Sequence, residues 1–125
     1  MNETIDTRGQ FDTALPDGER EFRVEKIMRR EKGPTIMYIW QLSFDGEGER
    51  ESGEQVLLPN MMGDLLRVLG CKEISPKKFD WDRELLPGTF FIATVSREPD
   101  KKDPTKIRQQ MTGFKKSEKE SETPF

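Results

Sequence analysis

The sequence predicts a mainly β domain, with five short strands closed into a small barrel and one helix between the third and fourth strands. Three observations predict it. Apolar and polar residues alternate in several short runs, the period of half-buried strands. Gly- and Pro-containing turns separate those runs. Only residues 60–69 carry the broader apolar face of a helix.

The first strand runs from Glu19 to Arg30, after a turn at Asp17-Gly18. It turns Phe22, Val24 and then Ile27 or Met28 to one side. Strict alternation selects Met28, so bringing in Ile27 requires a bulge. Glu31-Lys32-Gly33-Pro34 turns the chain into the strongest strand, Thr35 to Phe44, rich in β-branched and aromatic residues. There Ile36, Tyr38, Trp40, Leu42 and Phe44 share one face. Met37, Ile39, Gln41 and Ser43 share the other, and the polar pair marks that face as outward. Residues 45–52 form a polar, acidic hairpin loop. Gln55 to Leu58 is a short third strand closed by Pro59. In the helix, Asn60 is the expected cap, Met61, Met62, Leu65, Leu66, Val68 and Leu69 form the apolar face, and Gly70 is the stop. Residues 71–87 read as irregular, with a helical turn around Asp82–Leu86. The fourth strand, Thr89 to Arg97, points Phe91, Ala93 and Val95 inward and leaves Phe90 and Ile92 outward or against 71–87. A Pro-broken charged loop, 98–105, leads to the fifth strand, Lys106 to Phe114. Five strands with a helix after the third is the layout of the OB-fold, a small Greek-key barrel. The division is a lead-in (1–16), the barrel domain (17–116) and a flexible, disordered acidic tail (117–125).

Composition narrows the function. In 125 residues, 32% are hydrophobic and 36% charged, against usual values of about 45–50% and ~25%. That suits one small core with solvated ends. There is no histidine, which removes Ser-His-Asp triads, Cys-His pairs and His-ligated zinc. The lone Cys71 excludes an intrachain disulfide and multi-cysteine metal sites. No Gly-rich phosphate loop or dinucleotide fingerprint is present. Asp45, Glu47, Glu49 and Glu51 alternate without the ligand spacing of a calcium loop, and Asp80 and Asp82 read as surface carboxylates. The expectation is a protein that is not an enzyme, with no catalytic residue, metal or cofactor. The apolar run Ile36–Leu42 is far short of the ~20 residues that span a bilayer. Residues 1–20 hold no apolar stretch, and one unpaired cysteine suits a reducing compartment. A cytoplasmic, non-membrane location is expected.

The formal net charge of -3 is unevenly spread. Residues 1–96 hold 13 basic and 18 acidic side chains; residues 97–116 hold seven basic and three acidic. Single strands are bound by basic grooves that track phosphates, with planar side chains on which bases stack. In an OB-fold the ligand lies across strands 2–3, between the first-to-second and fourth-to-fifth strand loops. Here those loops are the basic ones. Arg29, Arg30 and Lys32 lie in the first; Arg97, Lys101, Lys102 and Lys106 lie in the second, with Arg108 just beyond. Tyr38, Trp40 and Phe90 are the candidate stacking residues. Alternation turns Tyr38 and Trp40 inward, whereas a bulge would expose them. Trp81 reads as a cover on the barrel. An outward Phe90/Ile92 face also offers a seam for a homodimer. The competing function is a small-barrel protein-interaction module, such as a phage adaptor or inhibitor, which the acidic excess of residues 1–96 supports.

Several short motifs, taken in order, carry a family resemblance. They are Leu-Pro-Asp-Gly-Glu-Arg-Glu-Phe (15–22), Lys32-Gly-Pro, Asp64-Leu-Leu-Arg-Val-Leu-Gly, Leu86-Pro-Gly and Met111-Thr-Gly-Phe. From about Leu15 to Lys116 the chain resembles the phage-type OB-fold single-stranded-DNA-binding proteins. Its end, with Glu118, Glu120, Glu122, Pro124 and Phe125, is similar to the tip of bacterial single-stranded-DNA-binding protein. It departs from that tip in having glutamates for aspartates and Thr123 where an isoleucine precedes proline. The resemblance implies sequence-tolerant binding of single-stranded DNA in replication or recombination, in the host cytoplasm if phage-encoded. It also implies a tail that recruits replication or recombination proteins and shields the DNA groove.

Overall fold

Alternating apolar positions on the first two runs fold them into one long antiparallel hairpin, and the rest of the domain is built against its apolar side. The computed structural model describes residues 15–46 and 49–119. Its strands are β1 (Gly18–Lys32), β2 (Thr35–Asp45), β3 (Arg50–Leu57), β4 (Lys72–Ser75), β5 (Lys78–Asp80), β6 (Phe90–Pro99) and β7 (Ile107–Lys116). One short helix, α1 (Gly63–Val68), follows β3. Five strands form an antiparallel sheet in the order β3-β2-β1-β6-β7, and β4 and β5 form a separate hairpin.

β1 sits at the centre and changes partner along its length. Gly18 to Arg23 pair with β6, and Arg23 to Lys32 pair with β2. The change falls at the expected bulge: the β1–β2 register shifts between Val24 and Lys26. The extra residue turns Ile27 inward in place of Met28, and Ile27 is buried. On β2 the inward face is Trp40, Leu42 and Phe44, as alternation predicts, and Trp40 has no exposed surface. Phe91, Ala93 and Val95 supply β6's share of the core, Met111 that of β7, and Leu57 that of β3. Phe22 holds the two halves together, with its ring 6.0 Å from Phe44 and 5.7 Å from Phe91. Truncating a side chain as large and buried as Trp40 costs about 3–5 kcal/mol.

The expected closed barrel is not found among the described residues. No backbone ladder joins the edge strands β3 and β7. They meet through two glutamines instead. Gln109 Nε2 donates to Glu54 O at 3.0 Å and to Gln55 Oε1 at 2.7 Å, and Gln55 Nε2 donates to Gln109 O at 3.4 Å. A glutamine amide has two donors and an acceptor, so each can serve the other strand's backbone as well as its partner. The sheet curls until its edges meet, and side chains make the junction.

The helix also differs from expectation. Asn60 is not its cap. Pro59–Met61 form a 3-10 turn, Met62 stands at the N-cap without a side-chain hydrogen bond, and the helix has six residues. Pro59 fits the first turn of a helix, where its missing N–H costs nothing, so the tighter turn takes the start of the segment. Gly70 does stop it. At φ 84 it lets its N–H reach Arg67 O (3.1 Å) and the Cys71 N–H reach Leu66 O (2.9 Å), a Schellman cap. Met62, Leu65 and Leu66 plug the core.

The segment expected to be irregular contains the β4–β5 hairpin, turned at Pro76-Lys77, and the expected helical turn is a 3-10 turn at Arg83–Leu85. Arg67, paired with Asp64 on its own helix (2.9 Å), ties α1 to this hairpin through Glu73 (2.9 Å) and through its guanidinium over Phe79. The Glu73 carboxyl lies below its ordinary range because it accepts from Arg67 and from the Lys77 N–H. Leu15, in the predicted lead-in, is a core residue with no exposed surface. Past β7, the Ser117 hydroxyl bonds Glu21, and Lys119 pairs with Glu21 at 3.1 Å.

Candidate nucleic-acid interface

The β1–β2 hairpin is longer than the sequence suggests, and this fixes where its cations point. β1 continues to Lys32, so Arg29, Arg30 and Lys32 lie on a strand and only Gly33-Pro34 forms the turn. Gly33 has φ 61, and the Pro34 ring holds the next φ negative, the signs of a type II′ hairpin turn. After the bulge, alternation puts Arg30 and Lys32 on the outer face with Met28, while Arg29 faces inward with Ile27. Arg29 pairs with Glu31 at 2.6 Å on that inner side. Arg30 and Lys32 are exposed and make no ion pair with the described residues.

Register carries the outer face across three strands. Arg30 stands opposite Met37, and Met28 opposite Ile39, which in turn faces Val56 on β3. The result is an apolar stripe from Met28 through Ile39 to Val56, which is 47% exposed. Beyond Val56 a groove of about 670 Å³ runs between β3 and β7, lined by Glu54, Leu58, Met61, Ile107 and Arg108 among others. Ile107 is 69% exposed. The stripe and groove thus join the base of the second basic hairpin to the side of the first.

That second hairpin is ordered by its own aspartates. Asp100 Oδ1 accepts the Lys102 N–H at 2.8 Å, and Asp103 Oδ1 accepts the Thr105 N–H at 3.2 Å. Backbone bonds from Asp100 N to Lys106 O (2.8 Å) and from Lys106 N to Asp103 O (2.9 Å) close the loop. Lys101, Lys102, Lys106 and Arg108 are exposed, with no ion pair among the described residues. Arg97 is different. Its guanidinium bonds Asp17, the Leu15 carbonyl and Gln109 Oε1, and Gln109 also accepts the Leu15 N–H at 2.8 Å. It clamps Leu15 and Asp17, just ahead of β1, to the sheet and has few donors left for a phosphate.

The candidate stacking residues are not on this face. Trp40 lies wholly inside the core. Its ring is nearly parallel to Trp81, at 6.2 Å and 9°. Its expected role as a stacking platform is corrected, because the β1 bulge leaves β2's alternation intact and Trp40 inward. Phe90 is 7% exposed, with Lys119 Nζ 5.2 Å over its ring, so it too lacks an open face. Tyr38 is half-buried on the inner side, edge-on to Trp81 at 5.2 Å. Trp81 lies over the core, half-buried against Trp40. Sequence reasoning missed the outward stripe, although Met37 and Ile39 signal it as apolar residues on the face marked polar by Gln41 and Ser43. It also missed Arg83, whose guanidinium lies 6.0 Å over the Tyr38 ring.

At the far end of the outer face, Glu25 organises a polar patch around the bulge. It accepts from Arg23 Nη1 and Ser43 Oγ, both at 2.5 Å, and Ser43 Oγ accepts from Arg50 Nε at 2.8 Å. Burial pushes the Glu25 carboxyl up, but these hydrogen bonds and the attraction of Arg23 and Arg50 outweigh it and hold it below its ordinary value. Burial pushes the Cys71 thiol up, away from its reactive thiolate form. Among the described residues, no three His, Cys, Asp or Glu side chains gather as metal ligands, and no helix is long and apolar enough to cross a membrane. Glu118 is exposed; Glu120, Glu122, Pro124 and Phe125 lie outside the described residues. The chain matches no protein-family model and no curated protein.

Proposed function

We propose that this is a sequence-tolerant single-stranded-DNA-binding protein of phage replication or recombination, without catalysis, metal or cofactor. The domain is then an OB-type barrel, left open between β3 and β7 except for the glutamine junction. One observation carries the reading: exposed cations on two hairpins, with no ion pair among the described residues, flank one outward apolar stripe. Arg30 and Lys32 stand at one end, and Lys101, Lys102, Lys106 and Arg108 stand at the other. Cations spaced along a groove hold successive phosphates, and apolar side chains between them meet the bases without reading their edges. The absence of a base-reading polar cluster on the stripe favours sequence tolerance. In this reading the protein works in the host cytoplasm, and the acidic tail ending in Pro124-Phe125 recruits replication or recombination proteins.

Amide shifts on adding oligo-dT test the surface. Changes are expected at Met28, Arg30, Lys32, Ile39, Val56, Ile107 and Arg108, and a duplex of equal length should produce none at matched concentration. Shifts that avoid these residues would contradict the assigned face. The second reading, a protein-interaction module, is favoured by one observation: Val56, Met61 and Ile107 are large, apolar and exposed (47%, 39% and 69%). Binding to a protein partner through that groove, with no response to oligo-dT, would establish it instead. The homodimer seam expected at Phe90/Ile92 loses support, because Phe90 is covered by Lys119.

A further inference from the structure

A cleft separates the inner side of the β1–β2 hairpin from the segment that follows β5. Arg29 and Tyr38 face each other across the two strands. Trp81, leaving β5, is stacked on the buried Trp40 and meets Tyr38 edge-on. Arg83 caps the Tyr38 ring, and Asp80 and Asp82 complete the rim. The cleft holds about 610 Å³, within the range of ~300–1,000 Å³ of small-molecule sites. Asp82 is occupied in part, since its Oδ1 accepts the Glu84 N–H at 2.9 Å. Asp80 is exposed and makes no ion pair among the described residues.

The chemistry is mixed in a particular way. Two arginines face two aspartates, and Arg29 also pairs with Glu31 at the edge, so the cleft suits neither a bare polyphosphate nor a simple cation. A nucleotide matches each part. Its base has a face for Tyr38 and Trp81, its phosphate has charge for Arg29 and Arg83, and an exocyclic amine can donate to an ionised carboxylate, which only accepts. We infer that this cleft binds one nucleotide of a single strand, its base against Tyr38 and Trp81 and its phosphate at Arg29 and Arg83, and that Asp80 favours amino-bearing bases over thymine. The inference rests on the DNA-binding reading and adds to it a second contact point, on the opposite face of the same hairpin.

The test uses the full chain with two kinds of probe. dCMP and dTMP are titrated while the Trp81 indole N–H is followed by NMR, assigned with Trp81→Phe; labelled oligo-dT and oligo-dC are titrated in parallel by anisotropy. dCMP should move the Trp81 signal and bind about fivefold more tightly than dTMP. Asp80→Asn should erase that preference, and Arg83→Gln should weaken both mononucleotides about tenfold. Neither side chain is part of the core, so both variants keep the fold. If the oligonucleotides bind and neither mononucleotide moves the Trp81 signal, the cleft assignment is overturned and strand binding stands. If dCMP binds at Trp81 and no oligonucleotide binds, the cleft stands and the strand-binding reading falls. Silence from every probe overturns both.

Discussion

The β1–β2 hairpin turns in two residues, Gly33 and Pro34, whereas the β6–β7 hairpin needs seven, Asp100 to Lys106. Both are basic, but they hold charge in different ways. In the first, strand alternation aims each cation: Arg30 and Lys32 outward, Arg29 inward to Glu31. In the second, a loop folded by Asp100 and Asp103 presents Lys101, Lys102 and Lys106 without a strand to orient them. Its one cation with many partners, Arg97, belongs to the architecture. A count of positive residues treats every cation alike; their hydrogen bonds separate cations that shape the fold from cations left for a ligand.

Five variants would break or sharpen that contrast. The largest effect is expected where the first hairpin roots in the core. Trp40→Ala should destabilise by about 3–5 kcal/mol in urea unfolding. Trp40→Phe should cost far less, because Trp40 Nε1 has no hydrogen-bond partner among the described residues and the substitution loses none. Next comes the clamp: Arg97→Ala should cost about 1.5–3 kcal/mol, as expected for hydrogen bonds of a charged group, and should free Leu15. A stability loss near zero would return Arg97 to the pool of ligand-binding cations. Gly33→Ala, at φ 61, should lower stability by about 1 kcal/mol, and it should blur the aim of Arg30 and Lys32. The smallest change in stability belongs to the pair Arg30→Ala and Lys32→Ala, within about 0.5 kcal/mol, yet it should make the salt dependence of DNA binding shallower by roughly 1.4.

Acid provides a separate handle on the bulge where β1 changes partner. The Glu25 carboxyl is held below its ordinary 4.5 in the fold. Its contribution is therefore fully present above about that pH and is lost as pH falls through the lower folded value. A plot of Tm against pH should show the wild-type advantage over Glu25→Gln shrinking below about pH 4.5. An advantage that persists unchanged into acid would remove Glu25 from the account.

Much of this fold was legible because alternation is a strong signal wherever one face is buried. Phe22 and Val24, the inward face of β2, and Phe91, Ala93 and Val95 follow from it; the ambiguity between Ile27 and Met28 is what pointed to the bulge. The β4–β5 hairpin was not legible, since its strands have four and three residues and expose nearly all of them. The helix start was misplaced because Asn60 satisfies a local rule that Pro59 overrides by nucleating a 3-10 turn. The glutamine junction could not be read at all: Gln55 and Gln109 are far apart in sequence, and neither is apolar. In the candidate interface, the cations were found from composition. Which of them remain unpaired depends on tertiary partners such as Asp17 and Leu15, which no local pattern links to Arg97.

The central claim is that the exposed cations of both hairpins hold the phosphates of a single strand. Anisotropy of labelled oligo-dT, titrated with the protein across a series of salt concentrations, tests it most directly. With about four phosphates neutralised, log K should fall against log salt with a slope near -3, and unlabelled duplex should compete poorly. Binding that ignores salt, or no binding at low salt, would contradict the claim.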